Sequence, residues 1–188
     1  MENKPVSVWR GTLNPALMLG FALIIYTLIL YFLDKSFDRS IVLAIISIAI
    51  LIGGLVLGIR SFRDDSRSGI LTYGQGVGAG TIISLYAGII MAVFGIIQYT
   101  LIDPELIDKF FALQEEQLIE QGRLSESLIE QQIDLMKKII TPVSLPLFGI
   151  LNYVFMGVII SLLATIFLKR EGDAFKAAMK EVEDQPAE

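Results

Sequence analysis

Few residues in this chain have types and spacings that could carry chemistry. Glu116 with Glu120, and Glu126 with Glu130, stand four apart, which places each pair on one helix face. Paired carboxylates serve acid–base catalysis or hold calcium, yet neither pair has the alternating ligands and the glycine of a calcium loop. A solvated acidic face accounts for them better. The run Gly74-Gln75-Gly76-Val77-Gly78-Ala79-Gly80 has the look of a dinucleotide fingerprint. That fingerprint needs a preceding strand and an acidic residue about 20 positions on, and here a turn precedes and apolar residues follow. By spacing, Gly76, Gly80, Ser84, Gly88 and Ala92 recur every fourth residue. They form a ladder of small side chains along which another backbone can approach closely. Gly54 and Gly58 supply a matching G-x-x-x-G on the preceding apolar segment. Packing within the chain explains the ladder, and a homo-oligomer or another membrane protein would use the same surface.

The missing residue types bound the chemistry further. With neither Cys nor His, the chain has no disulfide, no structural zinc site of the usual kind, no thiol nucleophile and no imidazole base. No G-x-S-x-G elbow occurs. The expectation is a protein that is not an enzyme, with no catalytic residues, no cofactor and no metal. A net charge of -5, without any basic stripe, also excludes nucleic acid as a partner.

The elements that position these residues follow from where charge is absent. Counting Gly and leaving out Tyr, roughly 59% of the chain is apolar, against roughly 45 to 50% in a soluble domain. Residues 11–33, 40–59, 68–102 and 139–168 carry no charge, and all 35 charges fall in the remaining 80 residues. A bilayer accepts apolar blocks and penalises charges inside them. The fold class is therefore all-α, a polytopic membrane protein with spans at 15–33, 41–59, 77–99 and 147–168. The first span ends in bulky Tyr31-Phe32-Leu33 with no small-x-small cleavage site, so it reads as retained rather than as a signal peptide. Residues 60–67 read as a turn, and 70–75 as interfacial.

An amphipathic insert, 103–140, separates spans three and four. Asp103 as N-cap, Pro104 at the first helical position and Glu105 read as a helix start. Gly122 interrupts the apolar stripe, and Ser127 with Glu130 spells a capping box for a second helix. Two helices on or near the bilayer are expected. Within the spans there is no Asp, Glu, Lys or Arg, which weighs against an ion-coupled pump. Gln98 and Asn152 read as interhelical glue between spans three and four, worth ~0.6 to 2 kcal/mol.

Topology rests on Lys and Arg near the span ends. The N-terminus, the 60–67 turn and the tail carry nine: Lys4, Arg10, Arg60, Arg63, Arg67, Lys169, Arg170, Lys176 and Lys180. The other side carries six: Lys35, Arg39, Lys109, Arg123, Lys137 and Lys138. Both termini are expected in the cytoplasm, with one membrane domain over 1–170 and a charged cytoplasmic tail over 171–188.

The run Ile59-Arg60-Ser61-Phe62-Arg63, then Gly69-Ile70-Leu71-Thr72-Tyr73-Gly74-Gln75, then a small-residue span closing in Ile102-Asp103-Pro104, resembles the signature of a bacterial membrane family. That family is catalogued as domain of unknown function 4199. The order of elements is similar too, over roughly residues 7 to 170. The resemblance implies a four-span inner-membrane protein with no assigned activity and no catalytic residues to carry over. The leading reading is a noncatalytic structural or interaction subunit whose partners are the bilayer and another copy or a membrane protein. The alternative is a small transporter or channel component. A polar cavity lined by Gln98, Asn152 and Tyr153 would favour transport, and a tightly packed interior would favour the subunit.

Overall fold

In the computed structural model, residues 7–170 are described. The tail from residue 171, and Lys4, Lys176 and Lys180 of the topology argument, lie outside them. Among the described residues the fold is all-α: α1 (Val8–Gly11), α2 (Leu13–Phe32), α3 (Ile41–Ser66), α4 (Tyr73–Ile97) with a π-helical turn (Gln98–Ile102), α5 (Glu105–Gln121), α6 (Glu126–Ile139) and α7 (Ser144–Leu168). Helices α2, α3, α4 with its π turn, and α7 are each long and apolar enough to cross a membrane. This is an all-α polytopic membrane protein. Its outward side chains are apolar: Met18, Phe21 and Phe32 on α2, Ile41 and Leu57 on α3, and Leu151, Phe155 and Phe167 on α7 are all exposed. In water such a belt would be a severe liability, whereas toward lipid it is the expected surface.

The core sits where the four spans meet. Leu19 and Leu23 of α2, Leu55, Ile59 and Phe62 of α3, Ile83 and Ala87 of α4, and Ile160 of α7 are buried together. The most extensive helix contact is between α4 and α7.

Of the boundaries that differ from the expected ones, three have a clear local reason. Helix α3 does not stop at residue 59 but runs to Ser66. The charges of 60–66 mark where the apolar stretch ends, not where the helix does. Their side chains support the last turns, with Ser61 Oγ donating to Asp65 Oδ2 at 2.7 Å and Arg60 pairing with Asp64 at 3.7 Å, both at i,i+4 spacing. The reversal comes at Ser68 and Gly69, both at positive φ (52° and 81°). Only glycine adopts that conformation without penalty, so the Ser68 backbone carries strain that Gly69 does not.

Helix α4 begins at Tyr73, ahead of the expected Val77, because Thr72 and Gln75 form a capping box: each side chain accepts from the other's backbone N–H, at 3.4 and 3.2 Å. The capping box expected from Ser127 and Glu130 does not form. Helix α6 starts earlier, at Glu126 with Ser125 as its flanking residue, so Ser127 already lies inside the first turn and its hydroxyl meets Ser125 Oγ at 3.2 Å.

The insert is a helical hairpin. Asp103 Oδ1 accepts from the Glu105 N–H at 3.1 Å, while Pro104 takes helical torsions and α5 proper starts at Glu105. Gly122 closes α5 in the left-handed region at φ 61°. Ile129 and Ile133 of α6 and Phe111 of α5 are buried, and the two helices pack on each other. The hairpin is also clasped to the α2–α3 loop. Arg39 pairs with Glu120 at 3.4 Å and donates to the Leu113 carbonyl at 3.4 Å, and the Phe37 and Phe110 rings lie 6.4 Å apart.

Candidate functional site

Three places concentrate the residues of interest: a joint at one end of the bundle, a small-residue seam along its length, and two cavities under the hairpin at the other end.

The joint is built from the run 59–75. Arg63 is buried, its side chain 8% exposed. Its guanidinium forks onto Asp64, Nε to Oδ1 at 2.7 Å and a terminal nitrogen to Oδ2 at 3.1 Å, and its other nitrogen donates to the Leu168 carbonyl at 3.3 Å. Desolvated charge of this kind is tolerated only when paired and hydrogen-bonded. Across the same gap Leu71 and Arg170 exchange two backbone hydrogen bonds, at 2.8 and 2.9 Å. Phe62 and Leu71 are fully buried between them. Arg67 stacks over the Phe62 ring with its guanidinium carbon 5.4 Å from the centroid. The joint thus fastens the end of α3, the turn and the start of α4 to the end of α7.

The seam is the α4–α7 contact. Gly76, Gly80, Ser84, Gly88 and Ala92 are all buried in α4, together with Gly95 one turn on. A Cβ added at Gly76 would meet Thr165, at Gly80 Ser161, at Gly88 Tyr153 and at Gly95 Pro146, while one added at Gly157 would meet Ser84. The numbers rise on α4 as they fall on α7, so the helices run antiparallel with small residues on both sides. Ser84 satisfies its hydroxyl on the Gly80 carbonyl at 2.9 Å. Ser161 Oγ and Thr165 Oγ1 are buried and unpartnered.

Gly54 and Gly58 do not mate with this ladder. Space at Gly54 is taken by Leu19 of α2, and at Gly58 by Pro15 of α2 and Ile83, which is off the ladder. The true complement is Gly157-Ser161-Thr165, spaced by four. That signal stands in the sequence and was missed because two of its three members are hydroxylated.

The expected Gln98–Asn152 pair is not made. Asn152 is exposed on α7, about 100° around from Tyr153, and has no side-chain hydrogen bond among the described residues, so it does not bond across to α4. Gln98 is buried, 5% exposed, at the first position of the π turn. Its backbone carbonyl accepts from the Asp103 N–H at 2.9 Å. Its side chain lines two cavities, of 170 and 160 Å³, that share Thr27, Gln98, Tyr99 and Tyr153. The first also touches Ser36 and Phe37 of the α2–α3 loop and Leu106 of α5, so the clasped hairpin and loop form its outer wall.

Among the described residues no three His, Cys, Asp or Glu side chains converge as metal ligands. Along the seam and around the cavities, what converges is uncharged and hydrogen-bonding.

No curated protein and no solved structure matches the chain. A family model described as a protein of unknown function, DUF4199, matches residues 15–170, which takes in all four spans, the joint, the seam and the hairpin. The chain belongs to the DUF4199 family of proteins of unknown function.

Proposed function

We propose that this protein is a noncatalytic subunit of a membrane assembly, held together by its α4–α7 seam and presenting the α5–α6 hairpin to a protein partner. One observation carries this reading: the hairpin is fixed in place yet leaves two surfaces uncovered. Its acidic face, with Glu115, Glu116, Glu126, Glu130 and Asp134, is exposed. On α6, Leu128, Leu135 and Ile139 are 49, 52 and 62% exposed, although Ile129 and Ile133 of the same helix are buried against α5. A linker joining two spans needs only about 2 to 8 residues, and an ordered hairpin of this length with an open apolar ridge fits a docking element.

The test replaces Leu106–Thr141 with a short Gly/Ser linker and compares material co-purified from the native host by quantitative mass spectrometry. Inserted protein that has lost its partners is the expected result. Full retention of partners by the shortened chain would overturn the reading.

The family resemblance implies a bacterial inner-membrane location, and the counts of Lys and Arg support an orientation with the joint and both termini in the cytoplasm and the hairpin outside. A reporter fused after Glu188 is expected to be active in the cytoplasm, and one inserted at Gly122 outside. Reversed labelling would exchange the two sides. The transport alternative draws its support from the cavities at Gln98 and Tyr153, which also admit a simpler role.

A further inference from the structure

Cavities inside a protein are either apolar and dry or polar and hydrated, and their lining decides what they hold. The pair under the hairpin has an uneven lining. Several of its polar groups are already used: the Tyr26 hydroxyl donates to the Leu43 carbonyl at 2.6 Å, Thr27 to Leu23 at 2.9 Å and Ser47 to Ala44 at 2.9 Å. Gln98, Tyr99 and Tyr153, which line both cavities, make no side-chain hydrogen bond among the described residues. An amide offers two donors and an acceptor, and each phenol one donor and an acceptor. The Gln98 residue is only 5% exposed, yet its amide has no partner among the described residues and opens onto the cavity space, at a π-helical turn of the kind frequent at functional sites, so its hydrogen bonds are left for a partner from outside the chain.

The lining also states what that partner is like. No charged side chain touches either cavity, so an ion entering would lose its hydration without compensation. Tyr26, Phe37, Tyr99 and Tyr153 supply ring faces and edges. The first cavity, partly open and 170 Å³ in volume, has room comparable to that of the roughly 150 Å³ enclosed cavity that accepts benzene in another protein.

We infer that the two cavities form a binding site for a small uncharged molecule, about the size of one ring, that both donates and accepts hydrogen bonds, with Gln98 as its anchoring group. Binding here goes beyond the assembly reading and does not depend on it. Because Leu106 of α5 lines the first cavity, an occupant would lie directly against the first turn of the hairpin.

The absence of Cys makes the test direct, because a single introduced thiol is unique. In the purified full chain, Thr27→Cys places one in both cavities, and Ser127→Cys places one on the exposed hairpin as a reference. Each is labelled with methyl, sulfonatoethyl or trimethylammonioethyl methanethiosulfonate, with benzamide as the uncharged probe. Relative to the reference, the methyl reagent is expected to label Thr27→Cys at least about tenfold faster than either charged reagent, and benzamide to slow it at least about tenfold. Adding Gln98→Leu should leave labelling intact and remove the benzamide protection. That variant breaks no side-chain hydrogen bond among the described residues, so it is expected to fold about as stably as its parent. Equal labelling by all three reagents, no labelling by the methyl reagent, or protection that survives Gln98→Leu would each overturn the inference.

Discussion

Gly80→Ile is expected to lose most of the folded protein in detergent. A Cβ at residue 80 would stand 2.7 Å from the Ser161 Cβ and 2.9 Å from the Ile59 Cδ1. It therefore collides with α7 and α3 at once, and three further carbons would have to follow it into the seam. Overpacking a filled interior costs about 1 to 3 kcal/mol and occasionally more, and although the Ile59 Cδ1 end can turn aside, the Ser161 Cβ is fixed to the α7 backbone, so the cost belongs toward the upper end. Gly88→Ile meets Tyr153 Cβ at 3.1 Å and the Ile150 Cα at 3.4 Å. It is expected to destabilise less, by an amount set by how far α7 can shift. Ile89→Leu alters an exposed position and should be nearly neutral. Thermal unfolding of the three variants checks the order, and identical midpoints would show that the seam is not a packed contact.

Arg63→Ala is expected to open the joint. The substitution removes a fork of two charge-assisted hydrogen bonds and the donor that satisfies the Leu168 carbonyl at the end of α7. Hydrogen bonds to charged groups contribute about 1.5 to 3 kcal/mol each. The net loss should fall near the lower figure, because Asp64 is partly exposed and can be solvated. Arg63→Lys should recover little, since an ammonium lacks the planar fork that reaches Asp64 and Leu168 together. Amide exchange at Leu71 and Arg170, whose paired hydrogen bonds span the joint, is the sensitive reading. Acceleration at both amides in Arg63→Ala, and partial acceleration in Arg63→Lys, is expected. Unchanged exchange would assign the fastening to the backbone pair alone.

How much of this was legible depends on whether a feature is local. The four spans follow from the charge-free stretches, because the cost of charge in hydrocarbon acts residue by residue. The ladder on α4 follows from period four alone. Helix ends were less accessible: charges at 60–66 locate the edge of the apolar stretch, while the helix continues until Ser68 and Gly69 turn it. Capping was read at Ser127 and overlooked at Thr72, although both precede a Glu or Gln by three. Only the backbone decides which of the two sits at a helix start. Asn152 failed for a different reason. Apolar residues surround α7 on every side in the sequence, so nothing local tells which face meets α4, and one position of rotation separates the exposed Asn152 from Tyr153 over Gly88. The cavities were legible only in part: Gln98 and Tyr153 were named as a candidate lining, but the full lining needs a loop, a π turn and five helices in register.

The α4–α7 seam also has a consequence in time. Helix α4 ends at Ile97 and α7 at Leu168, so the ribosome adds 71 residues between completing one half of the seam and completing the other. At about 5 to 20 residues per second, the groove of Gly76, Gly80 and Gly88 stays unfilled for roughly 4 to 14 seconds of synthesis. During that interval it is a vacant berth for any helix with a row of small side chains, including α7 of a neighbouring nascent chain. Translation speed across α5 and α6 therefore sets how long that berth stands open before α7 closes it.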